Sequence, residues 1–223
     1  MNISRVIVYV GVVTGVCGLK LNSGKTLPDG LMAVATQPSF TREGDSLIVF
    51  GPDVDTLLKT YTELGTVVHL VVVDKYFTNV SALSGLKSLQ MLDLSDTGVT
   101  DISALSGLDS LESLYLSGTG VTNISFLKQN KREILPDLTT LDLSTTCVRD
   151  ISALSGRELE MLDLTNTPVD EFTGLEKVIK LYVSETENPE SKASLKGYTL
   201  PMSKVQLDAK HLLACAKEAL KRK

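Results

Sequence analysis

LQMLDLSDTGVTDISALSGL, residues 89–108, holds the pattern that decides the fold, because it recurs along the chain. VVHLVVVDKYFTNVSALSGL (67–86) and LESLYLSGTGVTNISFL (111–127) align with it without gaps. Further copies occupy 138–156 and 159–175, and a degenerate copy follows them. The chain is therefore organised around an internal repeat, which is the signature of an array of similar structural units.

The second leucine of each copy marks the phase of the repeat, and these marks are Leu70, Leu92, Leu114, Leu141, Leu162 and Leu181. Their spacings are 22, 22, 27, 21 and 19 residues, the longest of which contains the insertion LKQNKREILPD (127–137). Each LxL predicts a short strand with one buried face. Because one unit cannot bury its own apolar side, we expect the copies to stack into a curved solenoid.

The segment after each strand predicts a turn followed by a short helical segment. Val99, Ile102 and Leu105 of the second copy are expected to point inward from it. Asp101, and Asp150 in a later copy, can cap the helical segment. The helical turns would line the convex face, while parallel strands line the concave face.

The repeat resembles the leucine-rich repeat family in its short, 22-residue form. It is similar to internalin repeats and to those of the protein that regulates protein phosphatase 1. Its LDLSxTxVTDISAL pattern also looks like that of repeat proteins from trypanosomatid parasites. The usual Asn after LxLxx is replaced by Thr97, Thr119, Thr146, Thr167 and Thr186, and by Lys75 in the first copy. The hydroxyl of threonine can bond turn backbone groups as asparagine would. The fold class implied is an α/β solenoid with a concave parallel sheet, helical turns on the convex face and a cap at each end.

The predicted organisation has three parts. Residues 1–45 resist phasing and are expected to form an N-terminal cap or leader, and residues 46–189 form the solenoid. The strand SLIVF (46–50), phased on Ile48, indicates a divergent first unit, which includes a helix over 53–65 with Asp53 as N-cap. Residues 190–223 hold a linker and a C-terminal capping helix, for which docking on a membrane surface or partner is the alternative.

The N-terminal segment leaves the cellular location open. The apolar run 6–19 follows Arg5 and ends in Val-Cys-Gly, as a secretory signal peptide does, yet its valines equally fit a buried strand. Asn2, Asn79 and Asn123 each begin an Asn-x-Ser glycosylation sequon. We predict a cytoplasmic protein, with a secreted or cell-surface location as the alternative if residues 1–18 are a signal peptide.

Composition excludes several function classes. The chain has 223 residues, 43% hydrophobic and 22% charged, which is too apolar for a disordered protein and sufficient for one buried core. A formal net charge of −5 argues against nucleic-acid binding, which requires an excess of Lys and Arg. No apolar run reaches the roughly 20 residues of a membrane-spanning helix. Cys17, Cys147 and Cys215 are odd in number and far apart, which predicts no disulfide framework, and Cys147 is interpreted as a small apolar filler.

Catalytic motifs are missing from the sequence. It has no Gly-x-Ser-x-Gly elbow, no carboxylate pair that stands apart from the repeat, and only two histidines, His69 and His211. LNSGKT (21–26) ends like a phosphate-binding loop, but the required upstream glycine is one place off and LPDG after Thr26 predicts a turn instead of a helix. Nucleotide binding is therefore a minor alternative, and we predict no enzyme activity, no cofactor and no metal.

The strand residues that face outward are the candidate binding residues. The position between the last two leucines of each strand gives a column of Val71, Asp93, Tyr115, Asp142, Asp163 and Tyr182, and the preceding outward position gives His69, Met91, Ser113, Thr140, Met161 and Lys180. Residues 67–190 contain 19 acidic and 9 basic residues, so the solenoid is the acidic part of the chain. Acidic, Tyr and Met side chains together favour a basic partner.

We therefore predict a non-catalytic protein-binding or scaffolding module. Its predicted concave-face site consists of Met91, Asp93, Tyr115, Asp142, Met161, Asp163 and Tyr182, and its partner is another protein, not a nucleic acid or a membrane. An ordinary solvated repeat position is the alternative for the aspartates. The basic insertion 127–137 is either a second contact site or a surface loop. A secreted or surface-exposed repeat glycoprotein for adhesion or recognition is the second functional hypothesis.

Overall fold

A computed structural model describes residues 39–51, 53–60, 64–129 and 132–184. Four expectations from the sequence lie outside these residues: the leader-like segment, the Gly24-Lys25-Thr26 motif, the sequon at Asn2 and the terminal helix.

The described residues form ten strands, one α-helix and a series of short 3-10 helices. The strands are β1 (Ser39–Glu43), β2 (Ser46–Phe50), β3 (His69–Val73), β4 (Met91–Asp93), β5 (Ser113–Tyr115), β6 (Lys128–Gln129), β7 (Arg132–Glu133), β8 (Thr140–Asp142), β9 (Met161–Leu164) and β10 (Lys180–Val183). Helix α1 spans Val54–Thr60, and the 3-10 helices span Leu64–Thr66, Val80–Leu83, Ser103–Gly107, Ser125–Leu127 and Ser152–Leu154.

One eight-stranded sheet organises the chain, in the order β1-β2-β3-β4-β5-β8-β9-β10. All neighbours from β2 to β10 are parallel, whereas β1 is antiparallel to β2. The six phase-marking leucines are directly paired from strand to strand. The predicted solenoid with its parallel sheet is therefore confirmed, and β1 begins the sheet with a strand that does not belong to the repeat.

The core is the stack of inward-facing residues from successive units. Leu70, Leu92, Leu114, Leu141 and Leu162 have no exposed surface, and burying a leucine side chain contributes about 1.5–3 kcal/mol. The residues predicted to point inward after the second strand, Val99, Ile102 and Leu105, are buried as well. Successive 3-10 helices from Val80–Leu83 onward contact one another and close the side of the core opposite the strands.

A buried threonine closes the turn after four of the strands. These threonines, Thr97, Thr119, Thr146 and Thr167, donate their hydroxyls over 2.6–2.7 Å to the carbonyl of the residue three positions earlier. The residue before each threonine has a positive φ, and these residues are Asp96, Gly118, Thr145 and Asn166. The threonine hydroxyl thus bonds a turn carbonyl, as the sequence predicted, and in three of the four turns that carbonyl also accepts the backbone N–H of the same threonine.

The first unit is in a different phase from the one predicted. Leu47, not Ile48, pairs with Leu70, and Ile48 pairs with Val71. Leu47 is 1% exposed and Ile48 is half-exposed. The 22-residue spacing misassigned this strand because the interval from Leu47 to Leu70 is one residue longer.

The helix predicted over residues 53–65 is α1 followed by the 3-10 helix Leu64–Thr66. Asp53 lies at its start, where its carbonyl accepts the N–H of Thr56 (3.1 Å) and its carboxylate accepts the hydroxyl of Thr56 (2.8 Å). Val54 and Leu58 are buried in the core, and the helix contacts the 3-10 helix Val80–Leu83 of the next unit.

Candidate functional site

The outward-facing strand residues form the columns that the sequence predicts. Strand pairing places side by side Val71, Asp93, Tyr115, Asp142, Asp163 and Tyr182, which we call the facing column. The pairing adds Ile48 to its N-terminal end. Met91 and Met161 lie in the neighbouring column, in register with Ser113 and Thr140. All seven predicted site residues therefore lie on one face of the sheet.

Exposure divides the predicted site residues into two groups. Met91, Tyr115, Asp142, Met161, Asp163 and Tyr182 are half-exposed, whereas Asp93 is only 7% exposed. Asp142 and Asp163 are directly paired on adjacent strands, and Tyr115 separates Asp93 from Asp142. The accessible charge of the column is therefore concentrated in Asp142 and Asp163, which we call the acidic pair.

Each aspartate of the facing column also has a local structural role, which sequence reasoning missed. One carboxylate oxygen accepts the backbone N–H two residues later: Asp93 from Ser95 (2.9 Å), Asp142 from Ser144 and Asp163 from Thr165 (both 2.8 Å). These bonds fix each carboxylate at the end of its strand and limit its rotamers. The sequence signal for this bond was the pattern LDLS, in which a residue with a hydroxyl group follows two places after the Asp.

Burial and, to a smaller extent, like charge perturb the electrostatic environment of Asp142 and Tyr115. Burial raises the pKa of Asp142, the hydrogen bonds from Ser144 oppose this, and the charges of Asp163 and Asp93 raise the pKa further. Burial likewise raises the pKa of Tyr115, with smaller contributions of the same sign from Asp93 and Asp142. Negative charge at this part of the face is therefore incompletely compensated.

Hydroxyl groups border the acidic pair where the strands end. Ser144 donates to the hydroxyl of Ser117 over 2.8 Å. In the last described units, the hydroxyl of Ser184 accepts the N–H of Asn166 (2.7 Å). These hydroxyl groups therefore connect successive turns, and part of their hydrogen-bonding capacity is used within the protein.

The N-terminal half of the concave face holds a cleft whose lining combines apolar and polar residues. Ile48, Val71, Met91 and Tyr115 line this cleft of about 480 Å³ over strands β2 to β5, which we call the N-terminal cleft. His69 also lines the cleft, and its Nδ1 lies 3.1 Å from the hydroxyl of Ser46. Sequence reasoning did not assign Ile48 to this surface because the strand had been phased incorrectly.

The described residues of the insertion 127–137 include a strand pair and are held by a buried arginine. Strands β6 and β7 form an antiparallel pair, and the N–H of Ile134 donates to the carbonyl of Leu127 (2.8 Å). Arg157 is 3% exposed and donates to the carbonyls of Ile134 (2.8 Å) and Leu135, with a longer bond to Leu127 (3.4 Å). The backbone of the insertion is therefore held by a cation from the next unit, and a contact role for the insertion stays a prediction.

Cys147 is disulfide-bonded. Its interpretation as a small apolar filler is therefore wrong. The other cysteines of the chain, Cys17 and Cys215, lie outside the described residues. The wide separation of the three cysteines in the sequence led to the wrong interpretation, because cysteine spacing alone does not determine disulfide connectivity.

No further chemical centre is found in the part of the chain that the structure describes. Its His, Cys, Asp and Glu residues form no group of three or more that could hold a metal ion. No helix within the described ranges combines the length and apolar character required to cross a membrane.

A family model for leucine-rich repeats, described as two copies, matches residues 87–129 and 109–156. These residues contain the paired strands β4, β5 and β8 and three of the four buried threonine turns. Residues 87–156 therefore carry leucine-rich repeats. The family resemblance and fold class predicted from the sequence are therefore confirmed.

Solved structures of internalins from Listeria monocytogenes are similar to these leucine-rich repeats. The crystal structure of an internalin (inlF) is 28% identical with a TM-score of 0.51, and it covers 62% of this chain and 41% of its own. That of an internalin C2 (inlC2) is 24% identical with a TM-score of 0.50, and it covers 66% of this chain and 68% of its own. The chain thus spans less than half of the first internalin. No curated protein matches it.

Proteins with leucine-rich repeats generally act as protein-interaction modules.

Proposed function

We propose that this leucine-rich repeat protein is a non-catalytic binding or scaffolding module whose acidic pair recognises a basic segment of a protein partner. The observation that carries the proposal is the direct pairing of two half-exposed carboxylates, Asp142 and Asp163, on adjacent strands. Neighbouring parallel strands lie about 4.8 Å apart. One Lys or Arg side chain can therefore reach both carboxylates.

The incompletely compensated charge of Asp142 supports the proposal energetically. Burial, and to a smaller extent the charges of Asp163 and Asp93, raise the pKa of Asp142, so its ionised form is destabilised in the free protein. A bound cation would stabilise that ionised form and gain charge-assisted hydrogen bonds. The fixed carboxylates of Asp142 and Asp163 add little conformational entropy cost to binding, because their strand-end hydrogen bonds already hold them.

The test is to remove the charges while keeping the strand-end turns. The double variant Asp142→Asn/Asp163→Asn retains an amide oxygen that can accept the N–H groups of Ser144 and Thr165. Both substitutions create Asn-x-Ser/Thr sequons, so the proteins should be produced in a bacterial host with an oxidising cytoplasm. Fluorescent peptides of one Gly/Ser frame, carrying Lys or Gln at alternate positions, serve as probes in anisotropy titrations.

We expect the Lys peptide to bind the wild-type protein and the double variant to bind it about tenfold more weakly, a difference of about 1.4 kcal/mol. Binding should weaken as ionic strength rises. The matched control Asp109→Asn/Glu171→Gln removes two exposed charges outside the facing column, and it should leave affinity nearly unchanged. Equal binding of the Lys and Gln peptides, or equal losses in the two double variants, would contradict the proposal.

A second candidate function is that of a secreted or cell-surface recognition protein. The disulfide bond at Cys147 favours it, because disulfides persist in oxidising compartments and are rare in the cytosol. The same location agrees with the signal-peptide alternative for residues 1–18. N-terminal sequencing of the protein from its source, together with non-reducing peptide mapping of Cys147, tests this candidate. An intact Met1 or Asn2 start combined with a free Cys147 thiol would contradict it.

A further inference from the structure

One position of the repeat, directly before the 3-10 helices, has the same local structure in four units. We call it the capping position, and it is occupied by Asn79, Asp101, Asn123 and Asp150. In each case a side-chain oxygen accepts the backbone N–H of the serine two residues later, over 2.8–3.0 Å. Asp101 and Asp150, which the sequence predicted as caps, thus bond the first residue of their 3-10 helices from one place before the N-cap residue. The two asparagines occupy the same structural place as the two aspartates.

The asparagines at the capping position begin sequons, and the structure presents those sequons outward. In Asn79-Val80-Ser81 and Asn123-Ile124-Ser125 the middle residues are 3% and 1% exposed, whereas both asparagines and both serines are exposed. The buried middle residue anchors each sequon to the core.

The orientation of each asparagine side chain leaves its amide nitrogen available. The oxygen of Asn79 is bonded to the Ser81 N–H, and that of Asn123 to the Ser125 N–H. Within the described ranges neither Nδ2 atom has a hydrogen-bond partner. Nδ2 is the atom through which an asparagine is glycosylated, so the reactive atom of both sequons is accessible.

The place of the two sequons in the fold suits a bulky modification. Asn79 comes after strand β3 and Asn123 after β5, and the unit between them has Asp101 at the capping position. The strands, with the facing column and the N-terminal cleft, are a different part of each unit. A sugar chain at the capping position would therefore leave the concave face open to a partner.

We infer that Asn79 and Asn123 are N-glycosylated, which gives the solenoid two glycans separated by one unmodified unit. The oligosaccharide donor is a lipid-pyrophosphate-linked sugar of the secretory pathway. The C1–O bond between the sugar and the pyrophosphate and one Nδ2–H bond break, and an Nδ2–C1 glycosidic bond forms. The lipid pyrophosphate and a proton leave, without any change of oxidation state. The inference rests on the secreted alternative, which the Cys147 disulfide supports, and not on the acidic pair.

The decisive measurement uses the protein isolated from its own source. Peptide N-glycosidase F digestion in ¹⁸O-labelled water converts a glycosylated asparagine into labelled aspartate, which peptide mass spectrometry locates. We expect labelled aspartate at positions 79 and 123. Unmodified peptides covering both positions would overturn the inference, and the concave-face proposal would remain untouched because its peptide assay uses unglycosylated protein.

Variants expressed through a secretory cell line test the structural part of the argument. Ser81→Ala and Ser125→Ala keep the backbone N–H that bonds the asparagine, so the turn is preserved while each variant should lose one glycan. The matched controls Asp101→Asn and Asp150→Asn each create Asn-Ile-Ser at the same capping position and should gain one glycan. If the controls gain glycans while Asn79 and Asn123 stay unmodified, the inference is wrong.

Discussion

The two halves of the concave face have the same backbone and opposite chemistry. Toward the N-terminus the facing column holds Ile48 and Val71 beside the N-terminal cleft. Toward the C-terminus it holds Asp142 and Asp163. In both halves these residues follow an inward-facing leucine that has almost no exposed surface. These paired inward leucines, which we call the buried ladder, fix the strand positions. The outward-facing residues are therefore available to vary with function.

The largest expected effect is on stability, and it distinguishes residues of the buried ladder from residues of the outward face. Leu141→Ala should lower the free energy of unfolding by about 3 kcal/mol, since Leu141 has no exposed surface and its truncation leaves a cavity. Thr140→Ala, on the opposite face of the same strand, should change it by less than about 0.5 kcal/mol. Urea denaturation followed by circular dichroism measures both. Similar losses in the two variants would show that the inward and outward positions are not energetically distinct.

The second effect tests the boundary between the halves, where the insertion 127–137 separates β5 from β8. Arg157→Met should cost about 2 kcal/mol, because the carbonyls of Ile134 and Leu135 lose the hydrogen bonds from the buried guanidinium group. Hydrogen exchange should also accelerate at the amide of Ile134. Arg149→Met, at an exposed arginine, is the control. Unchanged stability and exchange in the Arg157 variant would mean that these hydrogen bonds contribute little.

Repetition explains how much the sequence could predict. The register of the leucines, the facing column and the threonine turns follow from a pattern seen several times, so each copy corrects the others. The strand 46–50 does not match the other copies, so no second copy fixes its phase. Its apolar residues alone allowed Ile48 to be chosen wrongly in place of Leu47. Arg157 and Cys147 make contacts that do not recur from unit to unit. Such contacts depend on three-dimensional neighbours, which the repeat pattern does not encode.

A third prediction concerns backbone strain in the turn that follows the first aspartate of the acidic pair. Thr145 has φ of 54°, at the position that Asp96, Gly118 and Asn166 occupy in other units. A β-branched residue is disfavoured there, whereas asparagine tolerates it. Thr145→Asn should therefore raise the free energy of unfolding by about 1 kcal/mol, measured by urea denaturation. The reciprocal Gly118→Thr should lower it, because its Cβ would also collide with the Asp96 side chain. A loss of stability in Thr145→Asn would refute strain as the dominant effect.

The smallest effect compares an aspartate of the facing column with one of the capping position by their pH dependence. Burial and neighbouring charges raise the pKa of Asp142, whereas hydrogen bonds from Ser103 lower the pKa of Asp101. The unfolded pKa of both is about 3.9. As the pH rises from this value through the folded pKa of Asp142, ionisation of Asp142 destabilises the folded state. Asp101 instead contributes stability above its unfolded pKa, and this is lost as the pH falls through its lower folded pKa.

Removing the two charges should therefore shift stability in opposite directions. At about pH 7, Asp142→Asn should raise the melting temperature slightly and Asp101→Asn should lower it, and both differences should shrink toward about pH 3, where the wild-type carboxyl groups become protonated. Thermal unfolding of bacterially produced protein across this range measures both. The amide preserves the acceptor oxygen in each case, so a pH-dependent difference reports charge. If both variants shift in the same direction at every pH, loss of the acceptor geometry outweighs charge, and the repulsion assigned to the acidic pair is too weak to favour a basic partner.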